Sequence, residues 1–356
     1  FCKAKVAGSN PAAGAGSQDI ATRASRATPP RLTIWAVTTG EAGMRAQALG
    51  LAGRLGGAVI EKTVGLAPPW RWLPPNHLPN PLEHLDPALD ALSPPWPDLL
   101  VSCGRRAAPL AAAVRRKSGG ASLAVHIQDP RMSPSAFDLV VALGHDDLAE
   151  GPGVIKTLTA MHAITPAALS QARADWAGRL AGLPRPLTGV AIGGPTRRSP
   201  FGPRQVERLA AGLKARRATG EGLAITPSRR TPQAAAKMLV EAFGEDEGVF
   251  LWRGEGDNPY LAMLALCDRL VVTGDSVSMV SEAIAAGPPV EVFETGEGRH
   301  EAFLSALVER GLVRRFGQSF EDPPPGRSQA RDSTAEAAAA VLRLLQSRTG
   351  RSGNES

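Results

Sequence analysis

"LVVTGDSVSMVSEAIAAGPPVEVF", Leu270 to Phe293, sets the pattern for the whole chain. A short apolar run ends in Thr-Gly-Asp-Ser, a helix of small residues follows, and Gly-Pro-Pro resets the chain into a second apolar run. Short β-branched runs bounded by turn residues read as buried strands, and the spacing between them reads as a helix. Strand–helix–strand units of this kind build parallel sheets. The helix also carries Ser276, Ser278, Ser281 and Glu282 in its first two turns, where apolar residues would pack better. Asp275 or Ser276 is placed to cap it, which predicts a helix start that faces a ligand.

Outward from this stretch the same unit recurs. Strands are predicted at "LTIWAVTTG" (32–40), "AVIEKTV" (58–64), "PDLLVSCG" (97–104), "SLAVHI" (122–127) and "FDLVVAL" (137–143), after which "GVIKTLTAMHAIT" (153–165) leads into a helix. Helices are predicted within 41–57, 105–120 and 166–184. "GLAPPWRWLPPNHLPNPLEHL" (65–85) holds too many prolines for a regular element. After the proline-rich join "LPRPLTG" (183–189) the alternation restarts and runs to "PVEVFE" (289–294), followed by helices near 300–311 and 333–348. In the second half Thr231 and Pro232 suit the start of a helix.

This order predicts an α/β protein with two Rossmann-like, doubly wound domains facing across a cleft. Residues 31–184 would form the first domain, on the acceptor side, and 185–322 the second, on the donor side. Residues 323–356 would be a linker, a final helix and a disordered tail. Residues 1–30 have no amphipathic period and are expected to be disordered or a mis-assigned extension, with the fold starting near Arg31. "VAGSNP" is what a translated transfer-RNA gene can yield, and a targeting peptide is the alternative.

With 43% apolar but only 4% aromatic residues among 356, the core must be built from Ala, Val and Leu. The net charge of +6 fits either an anionic partner or a GC-rich coding bias, because the basic residues form no long run. Three cysteines without a CxxC argue against disulfides and structural zinc, and six scattered histidines give no ligand spacing. GxSxG and GKS/T are absent, which disfavours those hydrolases and P-loop NTPases. One Tyr and no stacking motif disfavour nucleic acid.

In open α/β sheets ligands sit beyond the carboxyl ends of the strands. The helix start after Thr273 would offer free N–H groups and a positive dipole end to a phosphate. That assigns Gly274, Asp275, Ser276, Ser278 and Met279 to the diphosphate and Glu282, further along the helix, to the vicinal hydroxyls of a ribose. "GGPTRRS" (193–199) adds a flexible double glycine, Gly193 and Gly194, with Thr196 and Arg197. "TPSRRTP" (226–232) adds Ser228, Arg229 and Arg230, whose guanidiniums suit phosphate. From the other half, Glu41 in "TTGEAG" and Asp129 in "HIQDPR" are candidate general bases for a hydroxyl acceptor. No DxD motif is present, so no metal and no separate cofactor are expected, with the helix dipole and Arg meeting the charge of the leaving diphosphate.

The set "SCGRRAAP", "VHIQDPR", "FDLVV", "IGGPTR", "ITPSRRTP", "GEGDNPY" and "VTGDSVSMVSEAIAAGPPVEVFE" resembles the mitochondrial-fission family, across roughly 32–317. The resemblance implies a GT-B-like fold. It implies for plants an outer-membrane-associated recruiter of a dynamin-type GTPase, and for bacteria members labelled nucleotide-sugar enzymes by analogy. "TGDSVSMVSEAIAAGPPV" is also similar to the donor site of GT-B enzymes such as the peptidoglycan N-acetylglucosaminyltransferase. That likeness implies Ser276 and Ser278 at the diphosphate and Glu282 at the ribose. Where those enzymes carry a His in the first loop, Glu41 stands nearest.

The expectation is a glycosyltransferase-like protein taking a nucleotide-diphosphate sugar and acting on a lipid-linked or envelope acceptor. It would sit in the cytoplasm or peripherally on the inner face of the membrane, where Trp70, Arg71 and Trp72 could meet headgroups. A non-catalytic recruitment module on the same scaffold is the alternative.

Overall fold

The computed structural model describes residues 32–74, 77–144, 146–196, 201–296, 301–318 and 332–352. Two six-stranded sheets, each entirely parallel, organise them. The first contains β1 (Thr33–Thr38), β2 (Ala58–Thr63), β3 (Leu99–Cys103), β4 (Leu123–Ile127), β5 (Leu139–Leu143) and β6 (Val154–Thr157), in the order β2-β1-β3-β4-β5-β6. The second contains β7 (Leu187–Ile192), β8 (Gly222–Pro227), β9 (Val249–Leu251), β10 (Arg269–Thr273), β11 (Val290–Phe293) and β12 (Arg314–Arg315), in the order β12-β11-β10-β7-β8-β9. The winding reverses between β1 and β3 in one sheet and between β7 and β10 in the other. A crevice opens at such a reversal, because the connections on its two sides leave in opposite directions.

Alternation along the strands selects the helices on each face. In β10, Val271 packs with Leu209 and Leu213 of α4 (Pro203–Ala218) and Leu239 of α5 (Gln233–Phe243). Its neighbours Leu270 and Val272 face the other way. They meet Met263 and Leu264 of α6 (Tyr260–Leu266), Val280 and Ile284 of α7 (Val277–Ala286), and Leu307 of α8 (Glu301–Glu309). In the first sheet Leu110 and Val114 of α2 (Ala108–Lys117) cover one face. Ala48, Leu51 and Leu55, on and just past α1 (Ala42–Gly53), cover the other. The proline-rich stretch makes short 3-10 turns, with Trp70 stacked on His84 at 3.7 Å and Trp72 left 68% exposed.

Besides β6 and β12, strands that the sequence did not predict, two features depart from the sequence reading. The final helix, α9 (Ser333–Ser352), returns to the first sheet, placing Ala337, Ala338 and Val341 against the α1 face. Thr159 donates its backbone N–H and its hydroxyl to Ser333 Oγ at 3.1 and 2.9 Å, and the His162 N–H donates to Thr334 Oγ1 at 3.0 Å. These bonds tie α9 to the connector between β6 and α3 (Pro166–Leu180). Second, α5 begins at Gln233 without a side-chain cap. The Thr231 hydroxyl bonds instead to the carbonyls of Ile192 and Gly193 at 3.1 and 2.5 Å, joining the ends of β7 and β8.

Candidate functional site

At the reversal of the second sheet, β7 ends in Gly193-Gly194 and β10 ends in Thr273-Gly274-Asp275. The Gly193 N–H donates to Thr273 Oγ1 at 2.7 Å, and the Gly194 N–H donates to Asp275 Oδ2 at 3.1 Å. Arg230 brings Nη2 to the same oxygen at 2.6 Å. A Cβ at Gly193 would fall on the Asp275 carboxylate, and one at Gly194 on the carbonyl of Arg230. The glycines are therefore demanded by the protein's own close approach, and their amides are spent inside it. This corrects the expectation of a flexible double glycine open to a ligand. A Cβ at Gly274 would meet Leu304 and Val292 at 2.9 and 3.1 Å, so that glycine answers to the core. Asp275 is buried, and its second oxygen, Oδ1, has no hydrogen-bond partner among the described residues. Ser228 Oγ receives the Arg230 N–H at 3.2 Å, which holds the turn that carries Arg229 and Arg230 to the surface.

Beyond Asp275 the chain enters α7. Ser276 is the N-cap and its hydroxyl accepts from the Met279 N–H at 3.4 Å, and Gly287 closes the helix at φ +99°. Ser276, Ser278 and Met279 remain half-exposed, so the helix start is open. It faces the first half of the chain. A Cβ built at Gly43, in the first turn of α1, lies 3.3 Å from Ser278 Oγ. The starts of α1 and α7, each following the strand beside a reversal, thus meet tip to tip. Ser281 explains itself one turn further on. Its hydroxyl accepts the Ala160 N–H at 2.9 Å and donates to the Val277 carbonyl at 2.8 Å, fixing α7 to the connector between the sheets.

Glu282 is half-buried on α7, and Tyr260, the only tyrosine of the chain, donates its hydroxyl to Oε2 at 2.7 Å. Burial raises the Glu282 pKa, and the Tyr260 bond partly opposes that rise. Burial, and then the adjacent carboxylate, push the Tyr260 phenol well above its ordinary value. The functional reading of the sequence missed Tyr260, although its singularity was a signal in plain view.

On the first sheet, Glu41 is exposed at the N-cap of α1, and Thr39 donates to its Oε2 at 2.5 Å. Asp129 follows β4 between two residues in the left-handed region, Gln128 at φ +78° and Arg131 at φ +56°. Both of its oxygens are engaged by Arg131, through the backbone N–H at 2.8 Å and the guanidinium at 3.1 Å. His126 is fully buried, bonded through Nδ1 to Ser102 Oγ at 2.8 Å, and burial lowers its pKa to about 3. It is a neutral core imidazole. Thr196 closes the described part of its loop, and Arg197 lies outside the described residues.

Residues 42–345 match the family described as Mitochondrial fission ELM1. The Arabidopsis thaliana protein of that name is 33% identical over 277 residues, covering 71% of this chain and 65% of the plant protein. The chain therefore spans just under two thirds of the length of that relative. An uncharacterised protein of Rickettsia prowazekii (strain Madrid E) is 27% identical over 331 residues, covering 81% of this chain and 92% of that one. Among solved structures, the S. aureus MnaA–UDP co-structure superposes with a TM-score of 0.51 at 11% identity, covering 89% of this chain and 96% of that one.

Two parallel doubly wound sheets, with helix starts converging from their reversal points, define a GT-B-like α/β protein. Within that class, the chain belongs to the Mitochondrial fission ELM1 family.

Proposed function

We propose that the protein binds a nucleotide-diphosphate sugar at the start of α7 and transfers its glycosyl group to a cell-envelope acceptor. The observation that carries this is the tip-to-tip approach of α7 and α1, 3.3 Å between Ser278 Oγ and a Cβ at Gly43. Each tip carries about half a positive charge, and the two fields add beside this contact, where a diphosphate would lie. The phosphate contacts come from the first turn of α7, with Ser276 and Ser278, rather than from Gly193 and Gly194. Arg229, exposed at the end of β8, adds field for the leaving diphosphate, whereas Arg230 is already paired with Asp275. Glu282 takes the ribose. The UDP in the S. aureus co-structure supports a nucleotide ligand on this fold.

On this reading residues 31–184 form the acceptor domain and 185–322 the donor domain. Glu41, two residues before the junction, is the general base; Asp129 would first have to release Arg131. A lipid-linked acceptor would meet the protein at the cytoplasmic face of the membrane. Trp72 is 68% exposed, with the Arg71 guanidinium 5.1 Å from its ring, and offers an interfacial anchor. Among the described residues no helix is long and apolar enough to cross a membrane.

Calorimetric titration with nucleoside diphosphates tests the site: binding tighter than about 1 mM is expected, and its loss in Ser278→Trp, which fills the junction. The site is refuted if no diphosphate binds. Glu41→Gln should abolish transfer while leaving diphosphate affinity intact.

A second reading, a recruitment module without catalysis, is favoured by one observation. Both candidate bases are already bonded, Glu41 to Thr39 and Asp129 to Arg131. Partner capture that survives Ser276→Ala and Glu282→Gln together would select it.

A further inference from the structure

The geometry points to Tyr260 as a positioning residue that presents Glu282 to a ribose and makes the site select ribonucleotides over 2′-deoxyribonucleotides. The inference rests on the proposed nucleotide site and adds a sugar specificity and the residue that creates it.

Tyr260 is placed with little freedom. It opens α6 directly after Pro259, and its backbone N–H donates to Asn258 Oδ1 at 2.9 Å. From there the phenol reaches across to α7 and donates to Glu282 Oε2 at 2.7 Å. That bond uses one carboxylate oxygen and stops the group from turning. Oε1 carries no hydrogen bond among the described residues and is not sealed from solvent. A held carboxylate with one open oxygen is a fixed acceptor for adjacent hydroxyls.

The spacing along α7 suits the task. Glu282 lies six residues beyond the Ser276 cap, which is about 9 Å at 1.5 Å per residue. This matches the reach from a diphosphate at the helix start to the hydroxyl edge of the pentose. The charge state suits it as well. Burial favours a protonated Glu282, which would itself donate, and the Tyr260 hydrogen bond works against that protonation. Where Glu282 is ionised, a bond to it is stronger than a neutral one, and a missing 2′ hydroxyl is felt the more.

The test is titration of the full chain with UDP and 2′-deoxy-UDP, with the ADP, GDP and CDP pairs run in parallel because the base is unassigned. In the wild type the ribonucleotide should bind roughly tenfold tighter or more than its 2′-deoxy partner. Tyr260→Phe keeps the ring and removes the hydroxyl. It should weaken the ribonucleotide by about that factor, leave the 2′-deoxy form within about twofold, and bring the ratio close to one. Glu282→Gln should also flatten the ratio. A merely structural role for Tyr260 would weaken both sugars in parallel, and that result overturns the inference. So does a ratio that survives Tyr260→Phe. If no diphosphate binds the wild type, the nucleotide site itself falls and takes this inference with it. If diphosphates bind without sugar preference, only the inference falls.

Discussion

At the reversal of the second sheet, Gly193, Gly194, Thr231, Arg230 and Asp275 are bonded to one another across the ends of β7, β8 and β10. On the first sheet, Thr39 bonds Glu41 and Arg131 bonds Asp129, each within its own loop. Bonds that span strands fix positions through the sheet, so nothing moves without disturbing several partners. Bonds inside one loop hold a side chain only as firmly as the loop. The second sheet thus offers a rigid seat and the first an adjustable one. On the function proposed above, that division would suit a constant diphosphate on one side and a varied acceptor on the other.

The difference can be broken most directly at Gly194. Gly194→Ala drives a Cβ into the backbone of Arg230, which cannot swing aside. We expect a loss of about 3 kcal/mol in urea unfolding, the upper part of the range for overpacking. A loss under about 1 kcal/mol would show that the strand ends are looser than their bonding implies. Next in size is a pair of matched substitutions. Asp275→Asn releases Arg230 from a carboxylate whose side chain is 0% exposed and should cost about 2 kcal/mol. Asp129→Asn should cost under about 1 kcal/mol, because its partner Arg131 is 56% exposed. Equal costs would erase the distinction between the two sheets.

The smaller effects are titrations. The Glu282 pKa is raised in the folded state by burial, so between its unfolded value and its folded value the native protein holds the extra proton. Stability therefore falls as pH rises through that window, and the Glu282 contribution is flat on either side of it. In Glu282→Gln this part of the slope should vanish from unfolding free energies measured against pH. Smallest is the phenol. Tyr260 is the only tyrosine, so phenolate absorbance reports it alone. Ionisation should begin well above the ordinary value of 10.0, and closer to it in Glu282→Gln, because the neighbouring carboxylate is a secondary cause after burial.

How far the sequence carried these conclusions depended on distance along the chain. Strand and helix order was legible because each element announces itself within a dozen residues through period and punctuation. The Ser276 cap was equally local. The partners of the site were not. Tyr260 meets Glu282 from 22 residues away, and Ser333 meets Thr159 from 174. Gly193 and Gly194 read as ligand glycines because sequence shows that a glycine is needed without showing whether the approaching atom is a ligand's or the protein's own. β12, two arginines long, has no apolar run to signal it.

The return of α9 has a mechanical consequence. The connector at 158–165 leads from the first sheet to the second, and α9 packs on the first. Thr159 and His162 stitch that connector to the start of α9 through Ser333 and Thr334. A connector bonded at two points to one helix cannot shift along it without breaking those bonds. The same connector meets α1 at close range, where a Cβ at Gly50 would lie 2.5 Å from the backbone of His162, so α1, α9 and the connector share one seam.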